Sequence, residues 1–314
     1  MTNFFSAPDR ETIERLVGAA LAYKHDPAAD AELGRGKTLV QLYLNPSLRT
    51  RISTEVAAKR LGMTVTSLDA GAGWGLEFAD GVRMDGAAAE HVREAAGVIS
   101  AYADVIGLRT FAGLRDRAAD YADETLLAFA RHATVPMVSL ESAVRHPLQS
   151  LADLVTLHEH RRRERPKVVL TWAPHPRALP QAVANSFAEW TLAAGYDLTV
   201  AAPEACTLDA AFTAGARVTH DQRAALAGAH FVYAKNWSST RDYGQVVEGH
   251  DDWIVDAEKM ALTDGGRFMH CLPVRRGVVV SDAVLDSPAS LALEQAGNRQ
   301  WAAQAALARL LRDR

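Results

Sequence analysis

KTLVQLYLNPSLRTRISTEVAAKRLG, residues 37–62, carries a strand, a turn and a helix in one run. Its first eight residues are almost continuously apolar, the pattern of a strand buried on both faces of a parallel sheet. Asn45-Pro46 breaks the strand and Ser47 is a natural helix cap. Leu48, Ile52 and Val56 then recur at i, i+4 and i+8, the period of an amphipathic helix. A buried strand feeding a helix is the building unit of an α/β fold.

The same alternation extends in both directions. Further strands are expected at 64–70, 104–111 and 135–141, and a second series at 167–174, 197–203, 230–237 and 267–273. Between them lies helical periodicity, for example Val92, Ala95, Ala96, Ile99 and Ala103. The chain has 314 residues, about twice a common domain length, so two doubly wound parallel-sheet domains are expected. The division falls at 1–145 and 146–290, near the helix that begins at His146. The charged stretch 158–167 after that helix reads as a solvated helix end and linker, because glutamates interrupt its arginines. In the remaining segment, 291–314, a helix over 299–313 places Ala303, Leu307, Leu310 and Leu311 on one face and is expected to pack back on the first domain.

Composition narrows the function. Hydrophobic residues make up 48% and charged residues 23%, with a net charge of −4, which argues against general affinity for nucleic acid or anionic membrane. No run approaches the ~18 apolar residues of a spanning helix, and the start, MTNFFSAPDRETIERL, lacks a basic region followed by an apolar one. Cys206 and Cys271 are too few for a disulfide framework, and no clustered Cys/His pattern suggests a metal. A cytoplasmic protein with no metal and no organic cofactor is expected.

Three segments carry chemistry. Arg49 and Arg51 sit in the first turn of the helix capped by Ser47, where the macrodipole favours acidic residues. They suit either an anion held against the free N–H groups of Leu48 to Thr50 or an ordinary helix start with solvated arginines. In RHPLQSLADL, 145–154, His146, Gln149 and Asp153 fall within about 60° on one helix face, so His146 and Gln149 can converge on a developing oxyanion or simply pack. FMHCLPVRR, 268–276, ends a strand at Pro273 and leaves the preceding carbonyls free to accept. Cys271 has no evident base partner, so packing or hydrogen bonding suits it better than nucleophilic attack.

SLRTR (47–51), Arg109 in IGLRTF, HPLQ (146–149) and HCLP (270–273), in this order, resemble the aspartate/ornithine carbamoyltransferase family over nearly the whole chain. The resemblance implies that Ser47, Leu48, Arg49, Thr50, Trp74, Arg109, His146, Gln149, Cys271, Leu272 and Arg299 bind carbamoyl phosphate. Among these, Arg109, His146 and Cys271 would be catalytic. Ornithine-using members carry an aspartate where this chain has Lys235, and a Ser-Met-Gly loop that is missing here. SLESAVRHPLQSLADL, TWAPHPRALPQAVANSFAEW and YAKNW are instead similar to the acylornithine branch, above all to its N-succinylornithine members, with N-acetylornithine members the alternative. That branch implies a second-substrate site of Ala89, Glu141, His175, Arg177, Lys235 and Arg275. Ala89 stands where acetyl-using members have a glutamate, and Val279 where some of them have a modified lysine. The resemblance further implies arginine biosynthesis, a homotrimer in which Trp74 reaches a neighbouring subunit's site, and a knotted second domain. In that knot the segment 238–249 threads the proline-rich stretch 173–180.

Overall fold

The computed structural model describes residues 2–70 and 74–313. Two parallel sheets organise it. The first is built from β1 (Thr38–Tyr43), β2 (Thr64–Asp69), β5 (Val105–Arg109) and β6 (Met137–Glu141) in the order β2-β1-β5-β6, while β3 (Leu76–Glu77) and β4 (Glu90–His91) form a separate pair. The second contains β7 (Lys167–Trp172), β8 (Asp197–Ala201), β9 (Arg217–Thr219), β10 (Phe231–Lys235) and β11 (Arg267–Met269) in the order β11-β10-β7-β8-β9. Parallel neighbours need crossovers, and the helices supply them. In chain order these are α1 (Arg10–His25), α2 (Leu48–Arg60), α3 (Val92–Tyr102), α4 (Arg117–Ala122), α5 (Glu124–His132), α6 (Pro147–His160) and α7 (Ala182–Ala193). The short α8 (Ala210–Thr213), α9 (Gln222–Leu226), α10 (Ala257–Met260) and α11 (Asp282–Leu285) precede the long α12 (Ala292–Arg312).

The expected α/β architecture is present in both halves, and every expected strand forms. Its details depart from expectation in three places. Strand β2 is not buried on both faces: it lies at the sheet edge and alternates exposed and half-buried positions. In α2 the Leu48/Ile52 stripe faces outward, with the two side chains 70% and 53% exposed. The helix instead buries Thr50, Thr54, Ala57 and Ala58, small side chains that let α12 approach closely. Helix α12 itself begins seven residues earlier than its apolar period suggests. It packs on α1, α2 and α6, so the C-terminal segment returns to the first sheet's helices.

One core runs through both halves and joins Leu39 and Tyr43 of β1 to Leu151 of α6, Val169 of β7 and Leu307 of α12. Trp172, Trp190 and Trp237 are fully buried within it, each removing enough surface from water to contribute about 4–6 kcal/mol. Trp172 Nε1 donates to the Trp237 carbonyl at 3.0 Å and Trp237 Nε1 to the Cys206 carbonyl at 2.7 Å, which fixes the chain as it leaves β10.

Candidate active site

In open parallel sheets, ligands bind beyond the carboxyl ends of the strands. Here the ends of both sheets face one cavity of about 470 Å³. Tyr43 of β1 leads to Ser47, β5 ends at Arg109, β6 at Glu141, and α6 starts just after His146. From the second sheet, β7 leads to His175, β10 ends at Lys235 and β11 leads to Cys271. Arg299 of α12 completes the lining.

Fourteen of the residues singled out in the sequence line this cavity: Ser47, Arg49, Thr50, Arg109, Glu141, His146, Gln149, His175, Arg177, Lys235, Cys271, Leu272, Arg275 and Arg299. Leu48, Trp74 and Ala89 do not. The Leu48 side chain points to solvent, so its backbone N–H at the helix start is what it can offer. Ala89 is exposed and donates its N–H to the Gly75 carbonyl at 2.8 Å. Trp74 is 56% exposed, donates Nε1 to Glu90 at 2.9 Å and edges a separate apolar cavity with Leu42, Leu68 and Val98. Residues 71–73 of its glycine-rich stretch lie outside the described residues.

The two arginines of the first α2 turn separate. Arg51 pairs with Asp69 and lies over the Tyr43 ring, 4.6 Å from its centroid. Arg49 faces the cavity with no carboxylate partner among the described residues, and its Nε is buried without a hydrogen bond. Burial, then the neighbouring Arg109, lowers the pKa of Arg49. Ser47 caps the helix loosely, accepting from Thr50 N–H at 3.4 Å. An anion there would meet free N–H groups, the helix dipole and a guanidinium at once.

Among the described residues, Arg109 is the one lining Arg or Lys with a carboxylate partner. A register shift between Leu108 and Arg109 sets it opposite Glu141, and the two side chains pair in a nearly buried position. His146 Nε2 lies 3.7 Å from that carboxylate and 3.4 Å from Arg299 Nη2. Burial, then Arg299 and Arg109, pushes its pKa well below the ordinary imidazole value, so the ring is neutral and carries one N–H to donate. Arg299 donates to Gln149 Oε1 at 2.8 Å and to Thr50 Oγ1 at 2.6 Å. Burial lowers its pKa to about 10, which still leaves it charged at neutral pH.

On the opposite wall, burial lowers the pKa of Lys235, whose Nζ donates to the Asn236 carbonyl at 3.0 Å. Burial raises the Cys271 thiol, which removes it as a thiolate nucleophile. Among the described residues no donor reaches the Cys271 and Leu272 carbonyl oxygens, while Leu272 N–H is held by His270 Nδ1 at 2.9 Å. Phe111, Leu179, Pro180, Val183 and Val274 give the cavity an apolar wall that the sequence reading missed. Only the proline-rich 173–180 stretch hinted at it. In all, the lining holds six Arg and Lys side chains against the single carboxylate of Glu141. Such a field selects an anionic ligand.

Family models match both halves. Residues 5–159 match the aspartate/ornithine carbamoyltransferase carbamoyl-P binding domain, and residues 180–310 match the Asp/Orn binding domain. The chain belongs to the aspartate/ornithine carbamoyltransferase family. It is 46% identical to N-succinylornithine carbamoyltransferase of Bacteroides fragilis, over 100% of this chain and 99% of that protein. Identity to N-acetylornithine carbamoyltransferase of Xanthomonas campestris is 36%, over 99% and 98% of the two chains. A solved N-acetyl-L-ornithine transcarbamylase, a glutamate-to-alanine variant complexed with carbamyl phosphate and N-succinyl-L-norvaline, superposes with a TM-score of 0.93 at 36% identity, covering 99% of this chain and 100% of that one. Among the described residues no helix is long and apolar enough to cross a membrane.

Proposed function

We propose that this chain transfers the carbamoyl group of carbamoyl phosphate to the side-chain amine of N-succinylornithine, giving N-succinylcitrulline and phosphate in arginine biosynthesis. The carrying observation is the cavity itself, with six cations facing one carboxylate at the start of a helix. Ser47, the Leu48 N–H, Arg49 and Thr50 hold the phosphate. Arg109, Thr50 and neutral His146 donate to the carbamoyl oxygen, where charge develops. Gln149 and the free carbonyls of Cys271 and Leu272 orient the carbamoyl amino group. The attacking amine, ordinarily protonated with a pKa near ~10.4, loses its proton to the departing phosphate. Nitrogen bonds to the carbonyl carbon, the carbon–oxygen bond to phosphate breaks, and phosphate leaves with its charge matched by Arg49. This chemistry requires no metal or organic cofactor.

The apolar wall receives the aliphatic chain of the amine. Arg177, Lys235, Arg275 and His175 surround the far end, where N-succinylornithine carries two carboxylates and N-acetylornithine one. Burying the extra carboxylate unpaired would cost several kcal/mol, and an arginine fork is its best partner. Lys235 repels the free α-ammonium of ornithine. The 46% identity to an N-succinylornithine enzyme supports the same choice.

Residues 1–145 would hold carbamoyl phosphate and 146–290 the acylornithine. A cytoplasmic homotrimer fits the outward Leu48 and Ile52, and it would let Trp74 and Ala89 serve a neighbour's site. A knot in the second half is supported by Ser238, whose N–H donates to Leu179 O at 2.8 Å and whose carbonyl accepts from Gln181.

A colorimetric citrulline assay with three amines tests the reading. N-succinylornithine should exceed N-acetylornithine at least tenfold in kcat/KM, with free ornithine lowest, and Ala89→Glu should reduce the succinyl activity most. Equal efficiencies, or an acetyl preference, would overturn the substrate assignment.

A further inference from the structure

We propose that Asp153 is a positioning residue, one buried acceptor that keeps the two walls of the carbamoyl-binding site in register; this rests on the carbamoyl-transfer reading above. Asp153 lies on α6, has no exposed surface and is not itself one of the residues that line the cavity. Its Oδ1 accepts from Gln149 Nε2 at 2.7 Å and from Gln295 Nε2 at 2.7 Å. Because Oδ1 only accepts, both glutamines must turn their amide nitrogens inward and their carbonyl oxygens away from it.

Each outward carbonyl then does a different job. Gln149 Oε1 receives Arg299 Nη1 at 2.8 Å, and the same guanidinium reaches Thr50 Oγ1 at 2.6 Å, on the phosphate side. Gln295 Oε1 receives the His270 N–H at 2.9 Å, and His270 Nδ1 in turn holds Leu272 N–H at 2.9 Å. One oxygen atom thus ties α6, α2 and α12 to the turn after β11, whose carbonyls face the carbamoyl amino group. If either amide flipped, an N–H would point at an N–H: at Arg299 in one branch and at His270 in the other. Buried networks of this kind hold only when every member is satisfied.

The second oxygen, Oδ2, has no partner at hydrogen-bond distance, and neither has the Tyr233 hydroxyl, which is close enough to act on the Asp153 carboxyl. Burial pushes the Asp153 carboxyl up to about 7. A proton taken up on Oδ2 leaves the acceptor at Oδ1 intact, so the ties survive either protonation state. Asparagine can therefore replace Asp153, with its Oδ1 toward both glutamines and its Nδ2 toward Tyr233.

The test uses the full chain, calorimetric titration with carbamoyl phosphate, steady-state kinetics and thermal melting. Asp153→Leu should weaken carbamoyl phosphate binding at least tenfold and lower kcat at least thirtyfold, while Asp153→Asn stays within threefold of wild type in both. If the leucine variant does not fold, Asp153→Ser, too short to reach either amide, takes its place. Binding within twofold of wild type in the leucine or serine variant, with only the melting temperature changed, would overturn the proposal. So would an asparagine variant as impaired as the leucine one, since that would assign the role to charge. A wild-type chain that binds carbamoyl phosphate but forms no carbamoylated product sinks the transfer reading, and the binding series still decides the role of Asp153. A wild-type chain that does not bind carbamoyl phosphate overturns both.

Discussion

Replacing Arg49 with alanine removes a cation that no carboxylate of the described chain uses. A charge-assisted hydrogen bond to a phosphate oxygen contributes about 1.5–3 kcal/mol. At about 1.4 kcal/mol per decade, carbamoyl phosphate should bind roughly ten- to 150-fold more weakly. Stability should not fall alongside affinity. Arg49 sits at the positive end of the α2 dipole with Arg109 near it, and burial already lowers its pKa. Its removal relieves a helix-terminus clash of about 0.3–1 kcal/mol, so the melting temperature should hold or rise. Arg51→Ala is the matched control, because Asp69 and the Tyr43 ring already engage that guanidinium. Titration calorimetry with carbamoyl phosphate, run beside thermal melts, reads all of this. Affinity within twofold of wild type in the Arg49 variant, or an equal loss in the Arg51 variant, would refute the placement of the phosphate.

Thr50→Val keeps the shape but deprives the buried Arg299 of its 2.6 Å acceptor; an unpaired buried donor costs about 1–3 kcal/mol, so steady-state kcat should fall roughly five- to 150-fold. The pH dependence of stability follows from three buried groups. His146 and His270 are held neutral in the folded chain, so both take up protons on unfolding and stability is lost as pH falls below 6.5, at about 1.4 kcal/mol per pH unit for each. Asp153, raised from 3.8 to about 7, is protonated in the folded chain across that interval and opposes them, so urea denaturation between pH 4.5 and 6.5 should show a steeper acid limb in Asp153→Asn. Ile52→Lys, placed on the outward stripe of α2, should convert the expected trimer to monomer and abolish activity; sedimentation showing a fully active monomer would remove the shared-site reading.

The α/β plan was legible because strands buried on both faces leave long apolar runs that no surface element tolerates. Where a strand lies at the edge, as β2 does, or spans only three residues, as Arg217–Thr219 does, that signal thins. The first two turns of α12 were invisible for a different reason. They bury Gln295, Asn298 and Arg299, polar side chains that interrupt any apolar period. Most of their partners lie more than 130 residues away: Asp153 for Gln295, Thr156 and Glu159 for Asn298. The α2 stripe was misread because periodicity reports which face is apolar, not which face α12 covers. At the site, charged and motif residues stood out in the sequence, whereas Phe111, Leu179 and Val183 carry no pattern that separates a pocket wall from core. Helix position alone treats Arg49 and Arg51 alike and only the family resemblance named Arg49; in the structure Asp69, at the end of an edge strand, engages Arg51.

The site concentrates positive charge by withholding carboxylates from it. Apart from Arg109, the best-buried lining cations are held by neutral groups: Arg299 by Gln149 and Thr50, Lys235 by a backbone carbonyl. Neutral acceptors position a guanidinium without cancelling its field, at the expense of desolvation that lowers the pKa of both Arg299 and Lys235. An anion entering the cavity offsets that desolvation, so part of its binding energy is relief of a cost these cations already carry. The same logic explains the neutral His146: among so many cations a protonated ring would add repulsion, whereas on the proposed mechanism a neutral one would keep a donor for the carbamoyl oxygen, which becomes negative only as the reaction proceeds.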